Sequence, residues 1–337
     1  VKLYLALASF LVSLSAVESL KFHTDFPDED DPYINNNLDK PVVGIITEPN
    51  PENPPSGIDN QNNSTISYSY VNWLQDLGIN SLPLYWNYSD EELNYIIPRI
   101  NGILLQGGDR TFVKGGLLEA QWWKIVQIAK VNNIPVWFIC QGFEYLHFEL
   151  ANQDSSVLTN TTAWKIALPL TETEHTRDSA MFKYFSDRDF DRLSDENKPS
   201  TINYHRLGVT VEDFMKYPLL RDTLKITSLG KDRDGKEFIG SVESKDFSES
   251  KFFAVQFHAE KANYNVHEDF RDEVQNINII IVSQRLGLGY AEEVKKSHKI
   301  NKMSEEDQEK YGVFCVITRA VTKGSNKYRF YKHEFVK

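Results

Sequence analysis

Cysteine is scarce in this chain: two in 337 residues, Cys140 and Cys315. No disulfide framework organises such a sequence. The two could pair, but pairing would consume a thiol placed at a distinctive turn, so two free thiols are expected. Basic residues are outnumbered, 37 against 48 acidic, for a net charge of −11. That balance argues against a general nucleic-acid binder, which needs a basic face. It leaves room for an anionic substrate, because a local pocket can oppose the global field. Internal repeats and low-complexity blocks are missing, and no apolar run is long enough for a confident membrane span. The remaining composition, 41% hydrophobic and 25% charged, is that of a globular protein, long for one domain and short for three.

The first residues have their own pattern. Lys2 precedes the apolar run Leu3 to Val12 and a small-residue stretch from Ser13 to Ser19. A basic start, a short apolar core and small residues predict a secretory signal peptide over 1–19. Residues 20–39 are polar and acidic and read as a leader to a domain over 40–337. Sequons begin at Asn62, Asn63, Asn87 and Asn160. With the leader they predict a glycoprotein of the secretory route, destined for extracellular, vacuolar or lysosomal space.

The domain alternates strands and helices. Val42–Ile46 predicts a buried strand, and the Pro- and Asn-rich 47–63 a loop bordering a site. Thr65–Leu77 shows helical spacing closed by Gly78. Ile79–Leu84 is a strand, Ser89 to Glu92 a capping box for a helix through Ile97, and Ile100–Leu105 a strand. A helix over Leu117–Lys130 leads to a strand over Ile134–Ile139. This order predicts an α/β fold, flavodoxin-like, with a mostly parallel sheet covered on both faces and its site at the strands' carboxyl ends. Beyond it a small mixed or antiparallel extension is expected. It contains a hairpin turned at Asp234-Gly235, a strand over Phe252–Phe257 and a helix over Asp269–Leu286 closed by Gly287 and Gly289. Glu292–Lys310 reads as charged and solvated. Gly312–Thr318 and Lys327–Tyr331 read as a last antiparallel pair.

Three chemical features fall at strand ends: Gly107-Gly108, Cys140, and His258 with Glu260. Strand, sharp turn and helix around Cys140-Gln141-Gly142 make a nucleophile-elbow layout. Taken alone, the plainer reading of that stretch is a small buried cysteine ending a core strand. A thiol needs a base to ionise near neutral pH, a histidine can supply it, and a carboxylate two residues on can orient the histidine. Glycines let backbone N–H groups approach a developing oxyanion.

With these residues in place, the chain resembles the gamma-glutamyl hydrolases, the folate polyglutamate-trimming branch of the class I glutamine amidotransferase superfamily. The resemblance runs from Lys40-Pro41-Val42-Val43-Gly44-Ile45 onward. Its strongest stretches are Ser69-Tyr70-Val71, Ile100 to Leu104 with Gly107-Gly108, Ile134 to Trp137 with Cys140-x-Gly142-Phe143-Glu144, Asn203-Tyr204-His205, and Val255 to His258 with Glu260-Lys261-Ala262-x-Tyr264. It implies a cysteine-type hydrolase that cleaves γ-glutamyl amides of folate poly-γ-glutamates through a γ-glutamyl thioester. Cys140 would be the nucleophile, His258 the acid–base and Glu260 its orienter. Gly107, Gly108 and Gln141 would form the oxyanion hole, and Tyr70, Glu144 and His205 would contact substrate. The resemblance implies no metal or organic cofactor, and a homodimer. Three positions depart from the superfamily pattern: Phe138 for Gly two residues before the cysteine, Ala259 for Pro, and Gln106 for Pro. Phe138 is the feature behind an alternative reading, a weak or inactive secreted glycoprotein on the same fold. A glutaminase partner of a synthetase is a further alternative, which the leader disfavours.

Overall fold

In the computed structural model the described residues are 40–49, 64–263, 276–298, 302–312 and 327–329. The stretches expected to be a signal peptide and an acidic leader, most of the expected 47–63 loop, Tyr264 and Cys315 lie outside them. The elements run β1 (Val42–Ile46), β2 (Glu48–Pro49), β3 (Ser64–Ser67), α1 (Tyr68–Asp76), β4 (Asn80–Leu84), α2 (Asp90–Ile96), β5 (Gly102–Leu105), α3 (Leu117–Val131), β6 (Val136–Ile139) and α4 (Gln141–Leu150). There follow β7 (Thr159–Leu168), β8 (Leu170–Glu172), α5 (Asp187–Leu193), β9 (Thr201–Gly208), α6 (Val211–Lys216), α7 (Pro218–Thr223), β10 (Leu224–Lys231), β11 (Glu237–Ser244), β12 (Phe252–Val255), α8 (Ile277–His298), α9 (Glu305–Lys310) and β13 (Lys327–Arg329).

Eight of these strands form one sheet in the order β4-β1-β5-β6-β12-β11-β10-β8. The first five are parallel. Numbered among themselves they read 2-1-3-4-5, the flavodoxin-like order. β11, β10 and β8 extend the sheet antiparallel. β5, β6 and β12 are neighbours, so the residues following them share one edge. The parallel strands are apolar throughout because both faces are covered. Leu105, Val136, Phe138 and Phe252 pack against Trp122 and Ile125 of α3 and Phe143 and Leu146 of α4. Val43, Leu104, Trp137 and Phe253 pack against Trp73 of α1 and Leu286 and Tyr290 of α8.

Local signals explain most boundaries. Ser89 and Glu92 form the reciprocal capping box that opens α2. Gly78 takes φ 73° just past α1, the left-handed residue that stops a helix. The Asp234-Gly235 hairpin joins β10 to β11, and Asp232 accepts the backbone N–H groups of Asp234 and Lys236, which fixes that turn.

Three expectations give way. Residues 65–67 belong to β3 rather than to the first turn of a helix, because β3 pairs with β2 on one side and β13 on the other. β13 therefore has β3 as its partner, while 313–318 lie outside the described residues. The C-terminal helix does not stop at Gly287 and Gly289 but continues to His298. A side chain at Gly287 would press on Leu77 and Trp73, and one at Gly289 on the carbonyls of Ala180 and Met181. Both glycines are close-packing positions inside the helix. Consequently Glu293 and Val294 are buried instead of solvated. The β7–β9 pair, a separate two-stranded ribbon, was not expected, although its Asn203-Tyr204-His205 motif was.

Candidate active site

Cys140 sits between β6 and α4 with φ 52° and ψ −104°, a region costly for a side-chain-bearing residue. Its N–H donates to Val255 O at 2.9 Å, and its carbonyl accepts from Glu144 N–H at 3.0 Å, so sheet and helix hold the turn from both ends. Gly142 allows the close fit: a Cβ there would stand 2.5 Å from Leu105 O. Phe138 does not crowd the elbow. Its ring is fully buried on the α3–α4 face, edge-on to Phe252 at 5.5 Å. Gln106 uses its amide to tie strands together, accepting from Ser67 N–H and donating to Ile46 O.

The thiol points at β9, donating to Tyr204 O at 3.9 Å. Burial pushes its pKa well up, and the nearby Glu144 and Glu260 push the same way, against Lys261 and the Gln141 N–H. The resting group is therefore a neutral thiol. His258 follows β12; its backbone N–H donates to Ile202 O at 2.8 Å. Its Nδ1 lies 2.7 Å from Glu260 Oε1, so Nδ1–H donates to the carboxylate and Nε2 is the free base. Burial holds the imidazole below its ordinary pKa, against the pull of Glu260. Burial would raise Glu260, but His258 and Lys261 outweigh it and keep it ionised.

Gly107 lies between these groups. A methyl in place of its hydrogen would be 2.8 Å from His258 Cε1, 3.0 Å from Tyr70 Oη and 3.2 Å from Cys140 Cβ. Its N–H is already given to Tyr70 Oη at 2.8 Å. Tyr70 thus holds the glycine turn from behind, and the wall of the cavity in front of Cys140 is made by other residues. That cavity, about 370 Å³, is lined by Gly108, Arg110, Cys140, Gln141, Glu144, Trp164, Tyr204, His205 and Arg206 among others. Glu144 Oε1 accepts from Gln256 Nε2 at 3.0 Å. Burial raises its pKa to about 8, so it is a neutral acid through the acidic and neutral range. His205 donates Nδ1–H to Leu207 O at 2.8 Å, with Asn203 Oδ1 3.2 Å from Nε2. Burial lowers its pKa to about 4. Trp164 is a site neighbour for which the sequence carries no signal, while Tyr204 and Gln256 lie inside the Asn203-Tyr204-His205 and Val255–His258 stretches without having been assigned a role.

Residues 58–274, well over half of the chain, match the family "Glutamine amidotransferase class-I", and the chain belongs to that family. Its curated relatives narrow the class. The chain is 30% identical over 280 residues to gamma-glutamyl hydrolase B of Dictyostelium discoideum, spanning 80% of this chain and 76% of that one. It is 31% identical over 238 residues to gamma-glutamyl hydrolase of Mus musculus, spanning 69% and 71%. It is an enzyme of the gamma-glutamyl hydrolase type. Among solved structures, the glutaminase domain of Trypanosoma brucei CTPS with bound acivicin aligns at TM-score 0.49 and 15% identity, over 76% of this chain and 94% of that one.

Proposed function

We propose that this hydrolase cleaves the γ-glutamyl amide bonds of folate poly-γ-glutamates by covalent catalysis at Cys140. The observation that carries the reading is the meeting at Gly107 of a thiol on a strained turn and a histidine already oriented by a buried carboxylate. His258 Nε2 takes the Cys140 proton as sulfur attacks the γ-carbonyl carbon. Negative charge develops on the carbonyl oxygen. The N–H groups of Gln141, at the start of α4, and of Gly108 are assigned to it. Gly107 N–H is engaged with Tyr70, so its part is to fix the turn. The C–N bond then breaks, the imidazolium gives its proton to the leaving amine, and a γ-glutamyl thioester remains. Water, activated by the same imidazole, attacks the thioester carbon; the C–S bond breaks, releasing a γ-carboxyl group and the thiol. Glu144, as a neutral acid, offers a hydrogen bond to substrate in the cavity, and His205 shapes the opposite wall.

The sequence features at 1–19 and the sequons support passage through the secretory route ahead of a hydrolase domain over 40–337. Asn160 is exposed on β7, whereas the side-chain oxygen of Asn87 is buried. Among the described residues no helix is long and apolar enough to cross a membrane.

The test is incubation of the purified protein with a folate bearing several γ-linked glutamates from acidic to neutral pH, with products weighed by mass spectrometry beside Cys140→Ala. Shortened chains that vanish in the variant are expected. Folded wild-type protein that cleaves nothing at any pH would overturn the proposal.

A further inference from the structure

A protein of net charge −11 that takes a poly-γ-glutamate must hold an α-carboxylate on each glutamyl residue against its own field. Among the described residues Lys261, Arg110 and Arg206 are cations near the nucleophile, and they are held differently. Lys261 Nζ is 3.5 Å from Glu260 Oε1 and belongs with the triad. Arg110 lines the cavity, but its Nη2 is tied to Pro49 O at 2.6 Å and its Nε is buried away from solvent without a partner among the described residues. Arg206 differs. It lines the same cavity as Cys140, it is exposed, and no carboxylate pairs with it among the described residues.

The guanidinium of Arg206 is nevertheless held in place. Its central carbon lies 3.9 Å from the centre of the Trp164 ring. Stacking uses the flat face of the group and leaves its N–H edges available for bidentate pairing. Trp164 is aimed by a bulge. The β7–β9 register passes from Trp164↔Tyr204 to Ile166↔Asn203, leaving out Lys165 at φ 54°. A bulge of this kind re-aims the neighbouring side chain. Arg233 staples it, donating to the carbonyls of Thr162, Trp164 and Lys165. The stack continues inward: Trp164 meets Tyr204 edge-on at 5.8 Å, and Tyr204 meets His258 at 5.8 Å. Tyr204 is also the residue whose carbonyl receives the Cys140 thiol.

We propose that Arg206, fixed on Trp164, is a specificity-determining residue that takes an α-carboxylate of the γ-linked chain while Cys140 faces the γ-carbonyl. The assignment rests on the hydrolase reading above. The carboxylate belongs either to the residue being acylated or to the leaving residue, and the experiment separates the two.

Three synthetic γ-linked diglutamyl amides serve as substrates: one with free α-carboxylates, one with an α-carboxamide on the acyl residue, one with it on the leaving residue. The wild type is expected to disfavour one carboxamide by about tenfold or more in kcat/KM, the scale of a charged hydrogen-bonded pair. Arg206→Ala brings that ratio toward one, chiefly through KM. Arg206→Lys keeps part of it, since the charge survives without the planar face. An Arg206→Ala protein that loses equally on all three substrates, or keeps the wild-type ratio, overturns the proposal. Calorimetry of the same compounds on Cys140→Ala protein needs no turnover. A carboxylate preference there that disappears on adding Arg206→Ala supports the assignment even if the hydrolase reading fails, and no preference overturns it.

Discussion

At the scale of single residues, the site is a set of buried titrating groups whose environments push them in different directions. Glu144 is neutral up to about pH 8. Above that it becomes a second negative charge beside Cys140 and raises the thiol further. kcat/KM should therefore fall on the alkaline side near pH 8, and Glu144→Gln should move that limb upward while keeping an acceptor for Gln256. A pH–rate profile from 6 to 9.5 checks this; an unmoved limb removes Glu144 as its source. His147 is buried outside the catalytic cavity, its Nδ1–H on Phe143 O. Burial holds its pKa at about 4 rather than 6.5. The unfolded chain takes up that proton below 6.5 and the folded chain does not. Its stabilising effect is complete above 6.5 and declines as pH falls toward 4, by about 1.4 kcal/mol per pH unit. His147→Leu should flatten that decline, measured by urea unfolding at pH 4.5 and 7. Cys140, His258 and Glu260 were legible in the sequence because strand ends announce them. The Gln256–Glu144 and Tyr70–Gly107 bonds were not, because their partners are 112 and 37 residues apart and no local period encodes such a pairing.

Among the elements, the turn at β6–α4 carries the strongest packing constraint. Gly142→Ala would set a methyl against Leu105 O and lift the start of α4, carrying Gln141 N–H with it. A loss of about 1–3 kcal/mol and a fall in kcat are expected, read by thermal melting and initial rates. Phe138 has the opposite lesson. In the sequence, Phe138 in place of Gly is the feature behind a weak or inactive reading; its ring finds room on the α3–α4 face in the core. Phe138→Ala should cost about 3–5 kcal/mol through the cavity it leaves instead of improving the turn, and a denaturant midpoint equal to wild type would contradict this. Strand and helix starts were legible where a cap or an apolar run marked them sharply, as at Ser89 and Val42, and fell two residues late of the expected Ile134 at Val136. They failed where tertiary contact overrode the local signal. Gly287 and Gly289 look like helix stops, yet they are the positions where α8 lies against Leu77 and the Ala180–Met181 backbone.

Across the whole molecule, the alternation of apolar strands with helices was enough to anticipate a parallel sheet with the site at one edge. The hydrogen-bonded neighbours of the later strands were less visible, since antiparallel ladders such as β7–β9 carry no crossover rule to fix them. The sequons also resolve at this scale. In a secretory expression host, Asn160→Gln should remove one glycan's mass while Asn87→Gln does not, because of the two sequon asparagines among the described residues Asn160 is exposed and Asn87 is partly buried. A mass unchanged in the Asn160 variant would refute that assignment.

The β7–β9 ribbon is a sheet of its own, joined to the catalytic strands by links such as His258 N–H to Ile202 O and Ile239 N–H to Val209 O. Cys140 and His258 stand on one scaffold, and the wall bearing Trp164, His205 and Arg206 stands on another. Such a division makes the cavity-facing residues of the ribbon exchangeable. Replacing them while keeping the anchoring links would retune which chain is accepted and leave the Cys140–His258 pair as it is.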